Sequence, residues 1–249
     1  MVSAPKRIAQ LFEKLERPRD EAAGALWLSE ILARPGPRVL SFLNAHAVNL
    51  CARDETFCRA LLSSDHMLRD GSGVKLGCRI LGLAPGPNMN GTDLIPEILE
   101  RFKTRKIAIL GAERRWLEHA VAKLRGQGHT ALVARDGFCA EEEYLALIRE
   151  ETPELVVLGM GMPKQELLAL RLKAAIKESG GTALIVNGGA IIDFLGEKVT
   201  RAPRWLRRLG LEWVYRLWLE PRRLARRYLI GNVVFFWRIL HVARIPTRI

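Results

Sequence analysis

Leu155-Val156-Val157-Leu158-Gly159, running on into Met160-Gly161-Met162-Pro163-Lys164-Gln165-Glu166, sets the pattern that orders the rest of the chain. Four branched or aliphatic residues end at a glycine, and a polar segment follows. A short apolar run bounded by turn residues is what a strand buried on both faces requires. The same signal recurs at residues 38–44 (RVLSFLN), 106–111 (KIAILG), 130–133 (TALV) and 183–188 (ALIVNG). Helix-period stretches lie between these runs, among them residues 116–127 and 141–151. Strand, helix, strand at this spacing implies right-handed βαβ units. The expected fold is therefore α/β, a Rossmann-like, mostly parallel sheet flanked by helices.

Charge divides the chain unevenly. The 249 residues carry a net charge of +12, and from Lys198 onward there are thirteen Lys and Arg against two acids, Glu212 and Glu220. The preceding 197 residues are nearly neutral. Four of the six tryptophans, Trp205, Trp213, Trp218 and Trp237, lie in the basic end. The chain divides on this reading into an α/β core over residues 1–197 and a basic, amphipathic helical C-terminal appendage over residues 198–249. Aromatic and apolar residues at roughly helical spacing with arginines suit an interfacial helix on an anionic membrane surface. Residues 233–240 (VVFFWRIL) are its expected membrane- or partner-facing patch, and Arg204, Arg207 and Arg208 read as headgroup contacts. Residues 1–37 form an N-terminal helical extension whose Ile8, Leu11, Phe12 and Leu15 pack on the body. No secretory leader and no membrane-crossing run is read. Cys51, Cys58, Cys78 and Cys139 lack ligand spacing and read as reduced thiols of a cytoplasmic protein.

In open parallel sheets, ligands bind beyond the carboxyl ends of the strands. The residues after each run are thus the candidates: Asn44 and His46, then Gly111, then Gln165, then Asn187 and Asp193. Their glycines allow close backbone approach, and helix N-termini there favour phosphate. No GxGxxG and no P-loop pattern occurs, and no acidic pair is placed for a metal, so neither a metal nor another cofactor is expected. Asp70, in LRDGSGV (residues 68–74), is read in a glycine-flanked turn after a helical stretch. It is either a general base or the anchor of an Asx turn. Asp93, in NGTDL (residues 90–94), reads as a helix cap, with Thr92 as the other choice. Residues 82–90 (GLAPGPNMN) form a surface loop.

DGSGV, NGTDL, GMGMPKQE, NGGAIIDFLG, RAPRW and LEWVYRLWLEPRRLARRYL follow one another in this order. Together they resemble the WecG/TagA/CpsF family of bacterial glycosyltransferases over about residues 38–232. The resemblance implies an inverting, metal-independent transfer of a sugar from a UDP-sugar donor. The acceptor it implies is a polyprenyl-diphosphate-linked saccharide at the inner membrane face, in the making of cell-surface polymers. It makes Asp70 the catalytic base, places Asn44, Gln165 and Asp193 at the UDP-sugar, where strand-end position also puts Gly111 and Asn187, and places Arg216, Arg223 and Arg226 at the diphosphate or acceptor. It also implies that the appendage closes over the active site, and it admits a homo-oligomer. Phe42 and Asn88 stand where many members carry threonine and arginine, so the donor is expected to be N-acetylmannosamine-type or a related hexose. Two other classes remain open on the residues alone. One is a non-catalytic nucleotide-sugar binder; the other is a nucleic-acid module using the basic tail, although no nucleic-acid motif occurs.

Overall fold

The computed structural model describes residues 2–245, apart from the side chains of Arg204, Arg208 and Arg223. Helices α1 (Ala4–Lys14) and α2 (Glu21–Ala33) lead into β1 (Arg38–Leu43). Helices α3 (Ala45–Cys51) and α4 (Glu55–Leu62) return the chain to β2 (His66–Arg69). Helices α5 (Gly71–Ile80) and α6 (Gly91–Arg101) carry it across to β3 (Ile107–Gly111), and α7 (Arg114–Gly126) leads to β4 (Leu132–Arg135). Then come α8 (Glu141–Glu151), β5 (Leu155–Gly159), α9 (Lys164–Glu178), β6 (Leu184–Asn187) and α10 (Ile191–Leu195). The basic end holds α11 (Arg204–Arg208), α12 (Glu212–Leu219), α13 (Pro221–Ala225), a π-helical turn over Arg226–Ile230, and α14 (Gly231–Arg244).

The six strands form one parallel sheet in the order β2-β1-β6-β5-β3-β4. The chain lays down one edge with β1 and β2, the other with β3 and β4, and then fills the middle with β5 and β6. This is the α/β architecture expected from the alternating pattern. Alternate residues of the strands serve opposite faces. Leu40, Ile107, Ile109, Val157 and Val186 pack under α2, α6 and α7, while Ala108, Leu110, Val156, Leu158 and Ile185 pack under α8 and α9. A third apolar cluster joins α1, α3, α4 and α5 to α14.

The structure corrects several expectations. β2 was absent from the set of apolar runs because its ends are His66 and Arg69. Both are buried yet satisfied: His66 Nδ1 lies 2.9 Å from Glu16 Oε1, and the Arg69 guanidinium donates to the Pro85 and Gly86 carbonyls and to Asn88 Oδ1. Asp70 therefore follows a strand rather than a helix. β4 begins two residues later than the run at 130–133. Asn90, not Thr92 or Asp93, caps α6, its Oδ1 accepting from Asp93 N at 3.0 Å. Asp93 instead meets Arg201 at 2.6 Å and Arg207 at 3.4 Å. Residues 233–240 are two-faced: Phe235 and Ile239 are buried against α1, α3 and α5, whereas Val233, Trp237 and Leu240 face outward. Ile8, Leu11, Phe12 and Leu15 are buried as the N-terminal pattern required. The four cysteines are free, and Cys51, Cys58 and Cys78 are buried.

Candidate active site

A cleft of about 510 Å³ opens over the carboxyl ends of β1, β5 and β6, and β2 delivers Asp70 to it. Its location follows from topology. Parallel strands end at one edge of the sheet, and the loops after them must diverge to reach helices on opposite faces. A second hollow of about 360 Å³ lies on the flank of the sheet between α7 and β4, away from these strand ends.

Pairing of Leu43 with Arg69 brings Asn44 and Asp70 side by side at the next position. Asn44 Oδ1 accepts from Ala47 N at 3.0 Å, capping α3, which leaves its amide nitrogen as the hydrogen-bond partner of the Asp70 carboxylate. Asp70 sits half-buried on the cleft floor at the N-cap position of α5, where its side chain makes no cap hydrogen bond. That is not the Asx-turn geometry. Burial raises the Asp70 carboxyl above its ordinary range, while Asn44, Arg227, Arg216 and Arg69 oppose the rise. Glu212, at the start of α12, is also raised, chiefly by burial, with the Asp70 charge adding to the effect. His46 lines the cleft and is lowered to about 4 by burial and by Arg227 and Arg53, so its ring is neutral near pH 7.

The middle of the floor is made by two loops. Asn187 donates through Nδ2 to Ser41 Oγ at 2.8 Å, and Ser41 is paired with Ser64 at 2.7 Å. Asn187 Oδ1 is buried without a hydrogen bond and belongs to a residue lining the cleft. Gln165 Oε1 accepts from Gly161 N at 3.2 Å and Gly189 N at 3.0 Å, and its Nε2 donates to Glu166 Oε1 at 2.7 Å. These two glycine N–H groups are thus taken up internally and cannot serve a phosphate, as the glycine-rich spacing had suggested. Burial lifts Glu166 to about 7.

Cations must then come from side chains, and the C-terminal end supplies them. Arg216 of α12 and Arg227 of the π-helical turn reach into the cleft from above. The Arg216 guanidinium lies 5.3 Å from the Phe194 ring, and its Nε is buried without a hydrogen bond. Lys198 lines the same side and pairs with Glu113 at 2.8 Å and Asp193 at 3.8 Å. Phe138 stands at the rim with 78% of its surface exposed.

Of the residues expected at the site, Asp70, Asn44, Gln165, Asn187, Asp193 and Arg216 line this one cleft. Gly111 does not. It pairs with Gly159, and a Cβ there would collide with the Gly159 carbonyl, so its glycine serves strand packing. Arg226 is exposed, and its neighbour Arg227 takes the place in the cleft. The Arg223 side chain, like those of Arg204 and Arg208, lies outside the described residues. Sequence reasoning missed Arg227, Phe138, Lys164 and Lys198. The RR pair at 226–227 held the signal for the first, but the phase of the π-helical turn decides which arginine points inward.

No group of three or more His, Cys, Asp or Glu side chains converges to hold a metal among the described residues. Nor is any helix among them long and apolar enough to cross a membrane.

A family model described as "Glycosyl transferase WecG/TagA/CpsF family" matches residues 17–248. Among curated relatives, the N-acetylglucosaminyldiphosphoundecaprenol N-acetyl-beta-D-mannosaminyltransferase of Bacillus subtilis (strain 168) is 28% identical over 193 residues, which cover 76% of this chain and 74% of the relative.

Proposed function

From the premise that this chain belongs to the WecG/TagA/CpsF family and is a glycosyltransferase, we propose that it moves an N-acetylmannosamine-type or related hexose from a UDP-sugar to a polyprenyl-diphosphate-linked saccharide. The relative's acceptor, an undecaprenyl-diphosphate-linked N-acetylglucosamine by its name, is the model for the acceptor here. The product would enter cell-surface polysaccharide or teichoic-acid-type synthesis.

In this reading Asp70 is the base. Its carboxylate takes the proton of the acceptor hydroxyl as that oxygen attacks the anomeric carbon. The bond from that carbon to UDP breaks on the opposite face, and its electron pair leaves with the diphosphate. A single displacement inverts the carbon. A raised carboxyl is a stronger base once ionised, which suits a hydroxyl nucleophile. Charge builds on the departing diphosphate, and guanidinium forks match phosphate oxygens. Arg216 and Arg227 fill that role without recourse to a metal. Asn44 orients Asp70, Asn187 and Asp193 line the nucleotide-sugar side, and the exposed Phe138 ring is the stacking surface for the base.

We also read residues 198–249 as an arm that closes the cleft and rests on the cytoplasmic membrane face as a peripheral contact. Trp205, Trp218, Trp237, Leu229 and Ile230 all face outward, each more than half exposed, interleaved with arginines. Such a surface suits the headgroup layer.

One observation carries the proposal. Asp70 comes from one edge of the sheet and Arg216 and Arg227 from the C-terminal end, yet all three line the same cleft. The test is UDP release from a panel of UDP-sugars with a polyprenyl-diphosphate N-acetylglucosamine mimic. Asp70→Asn should lower acceptor-dependent release by about 10²–10⁴-fold. In the wild type, release should fall as pH drops through the raised carboxyl's pKa, because only the ionised form accepts a proton. Retention of wild-type turnover in the variant would remove Asp70 from the chemistry.

A further inference from the structure

Beneath the cleft lies a carboxyl that the displacement does not use. Glu166 is 2% exposed and Gln165 is 1% exposed, adjacent on the first turn of α9. Gln165 Oε1 holds two backbone N–H groups at once, those of Gly161 and Gly189. Backbone N–H groups only donate, so the amide has one possible orientation, with its oxygen toward the glycines and its nitrogen toward Glu166. Glu166 Oε1 receives that nitrogen at 2.7 Å, and Glu166 Oε2 is buried without a hydrogen bond.

The two glycines belong to different loops, one after β5 and one after β6. Both have left-handed backbones, φ +75 and φ +60, with open space where a Cβ would stand. Neither glycine has a side chain of its own to steady it, and the sheet ladder between β5 and β6 ends at Leu158 and Asn187, with one further backbone bond from Gly188 N to the Leu158 carbonyl at 2.7 Å. Gln165 is the side-chain tie between them. Its grip depends on the amide not turning over, and the acceptor at Glu166 prevents that turn.

We infer that Glu166 is a positioning residue: it locks the Gln165 amide so that one side chain clamps the β5 and β6 loops, setting the width of the donor half of the cleft. The inference rests on reading that half as the UDP-sugar site. It also assigns Gln165 to holding the loops, in addition to any contact its remaining N–H makes.

Two variants and two readouts on the full chain test this. Glu166→Leu removes the acceptor, and Glu166→Gln restores a carbonyl oxygen. The first readout needs no ligand: amide hydrogen exchange at Gly161 and Gly189. Loss of the lock should speed exchange at both by about tenfold in Glu166→Leu, with most of the protection recovered in Glu166→Gln. Gln165→Ala should give the same exchange pattern as Glu166→Leu, which keeps the test open if the leucine variant folds poorly. The second readout is UDP binding by calorimetry and steady-state kinetics. Glu166→Leu should weaken UDP about tenfold and raise KM, with kcat within about twofold. Unchanged exchange at both glycines overturns the inference whatever the protein binds. Equal losses in the leucine and glutamine variants, or a fall in kcat alone, also overturn it, because they point to proton transfer at Glu166. That exchange pattern in the variants, together with a wild type that does not bind UDP, leaves the clamp standing and removes the donor reading instead.

Discussion

The sheet core and the C-terminal arm obey different rules. Of the sixteen large apolar side chains exposed among the described residues, eleven lie between Trp205 and Leu240. In the core, apolar side chains line both faces of the sheet, and a stray polar group such as His66 or Arg69 is met by partners. In the arm, α12 buries none of its residues, while arginines and aromatics share one surface. The arm is held at its ends. Near its start, Asp93 pairs with Arg201 and Arg207, and Ser72 Oγ donates to the Gly210 carbonyl at 3.1 Å. Toward its end, Asn49 donates to the Gly231 carbonyl at 2.6 Å, Arg238 returns to Asn49, and Phe235, Ile239 and Val242 enter the third apolar cluster. We call this segment, pinned at both ends and lining the cleft with Arg216 and Arg227, the strap. The difference teaches that packing holds the core, whereas anchors at its two ends hold an arm whose apolar and cationic side chains stay largely uncovered.

Four changes would break or sharpen that contrast. The largest effect is expected where strap meets cleft. Arg216→Ala should reduce turnover by about 10²–10³-fold, and lysine should not rescue it, since a point charge lacks the planar fork. An equal loss from the outward-facing Arg222→Ala would erase the distinction between the strap's two sides. Next comes the anchor. Phe235→Ala should cost about 3–5 kcal/mol of stability, as a core aromatic does, and should expose α14 to protease before the sheet unfolds. A change below about 1 kcal/mol would place α14 outside the core.

The third change tests a buried charge in the core. Glu166 has a folded pKa of about 7 against an ordinary 4.5, so the folded state binds the extra proton. Its burial therefore destabilises the protein progressively as pH rises through that window, by on the order of 3 kcal/mol at most. Relative to wild type, the Tm of Glu166→Gln should climb as pH is raised from about 5 to about 8 and then level off. A constant difference would show that the carboxyl does not titrate there. The smallest effect belongs to the strap's outer face. Trp218→Ser with Trp237→Ser should leave turnover on a soluble acceptor mimic intact while weakening binding to anionic vesicles about tenfold. Vesicle binding should also fall with added salt, as surface charge attraction is screened. Unaltered vesicle affinity would assign that face to another partner.

The sheet was largely legible in the sequence because its strands are apolar on both faces and end in glycine or asparagine. Four of the six strands announced themselves this way, and β4 was marked only by the apolar residues of the run at 130–133. The sixth, HMLR, was not legible: its polar ends are met by Glu16, just after α1, and by carbonyls of the loop before α6, both distant in sequence. The site was legible in part. Strand-end position pointed to Asn44, Gln165, Asn187 and Asp193, and the motif pointed to Asp70. Arg227, Phe138 and Lys198 come to the cleft through helix phase and loop direction, which no local pattern encodes.

What the amino-acid order determined by itself is the layered α/β plan, the neutral core against the basic end, and the family, because periodicity, composition and motif order are local properties of a chain. Tertiary structure alone decided which arginine faces the cleft, that half of an apolar helix is core and half is surface, and that two glycine amides already belong to Gln165. Each of these is a matter of direction and of competition between partners, and both exist only once distant segments have been brought within hydrogen-bond reach.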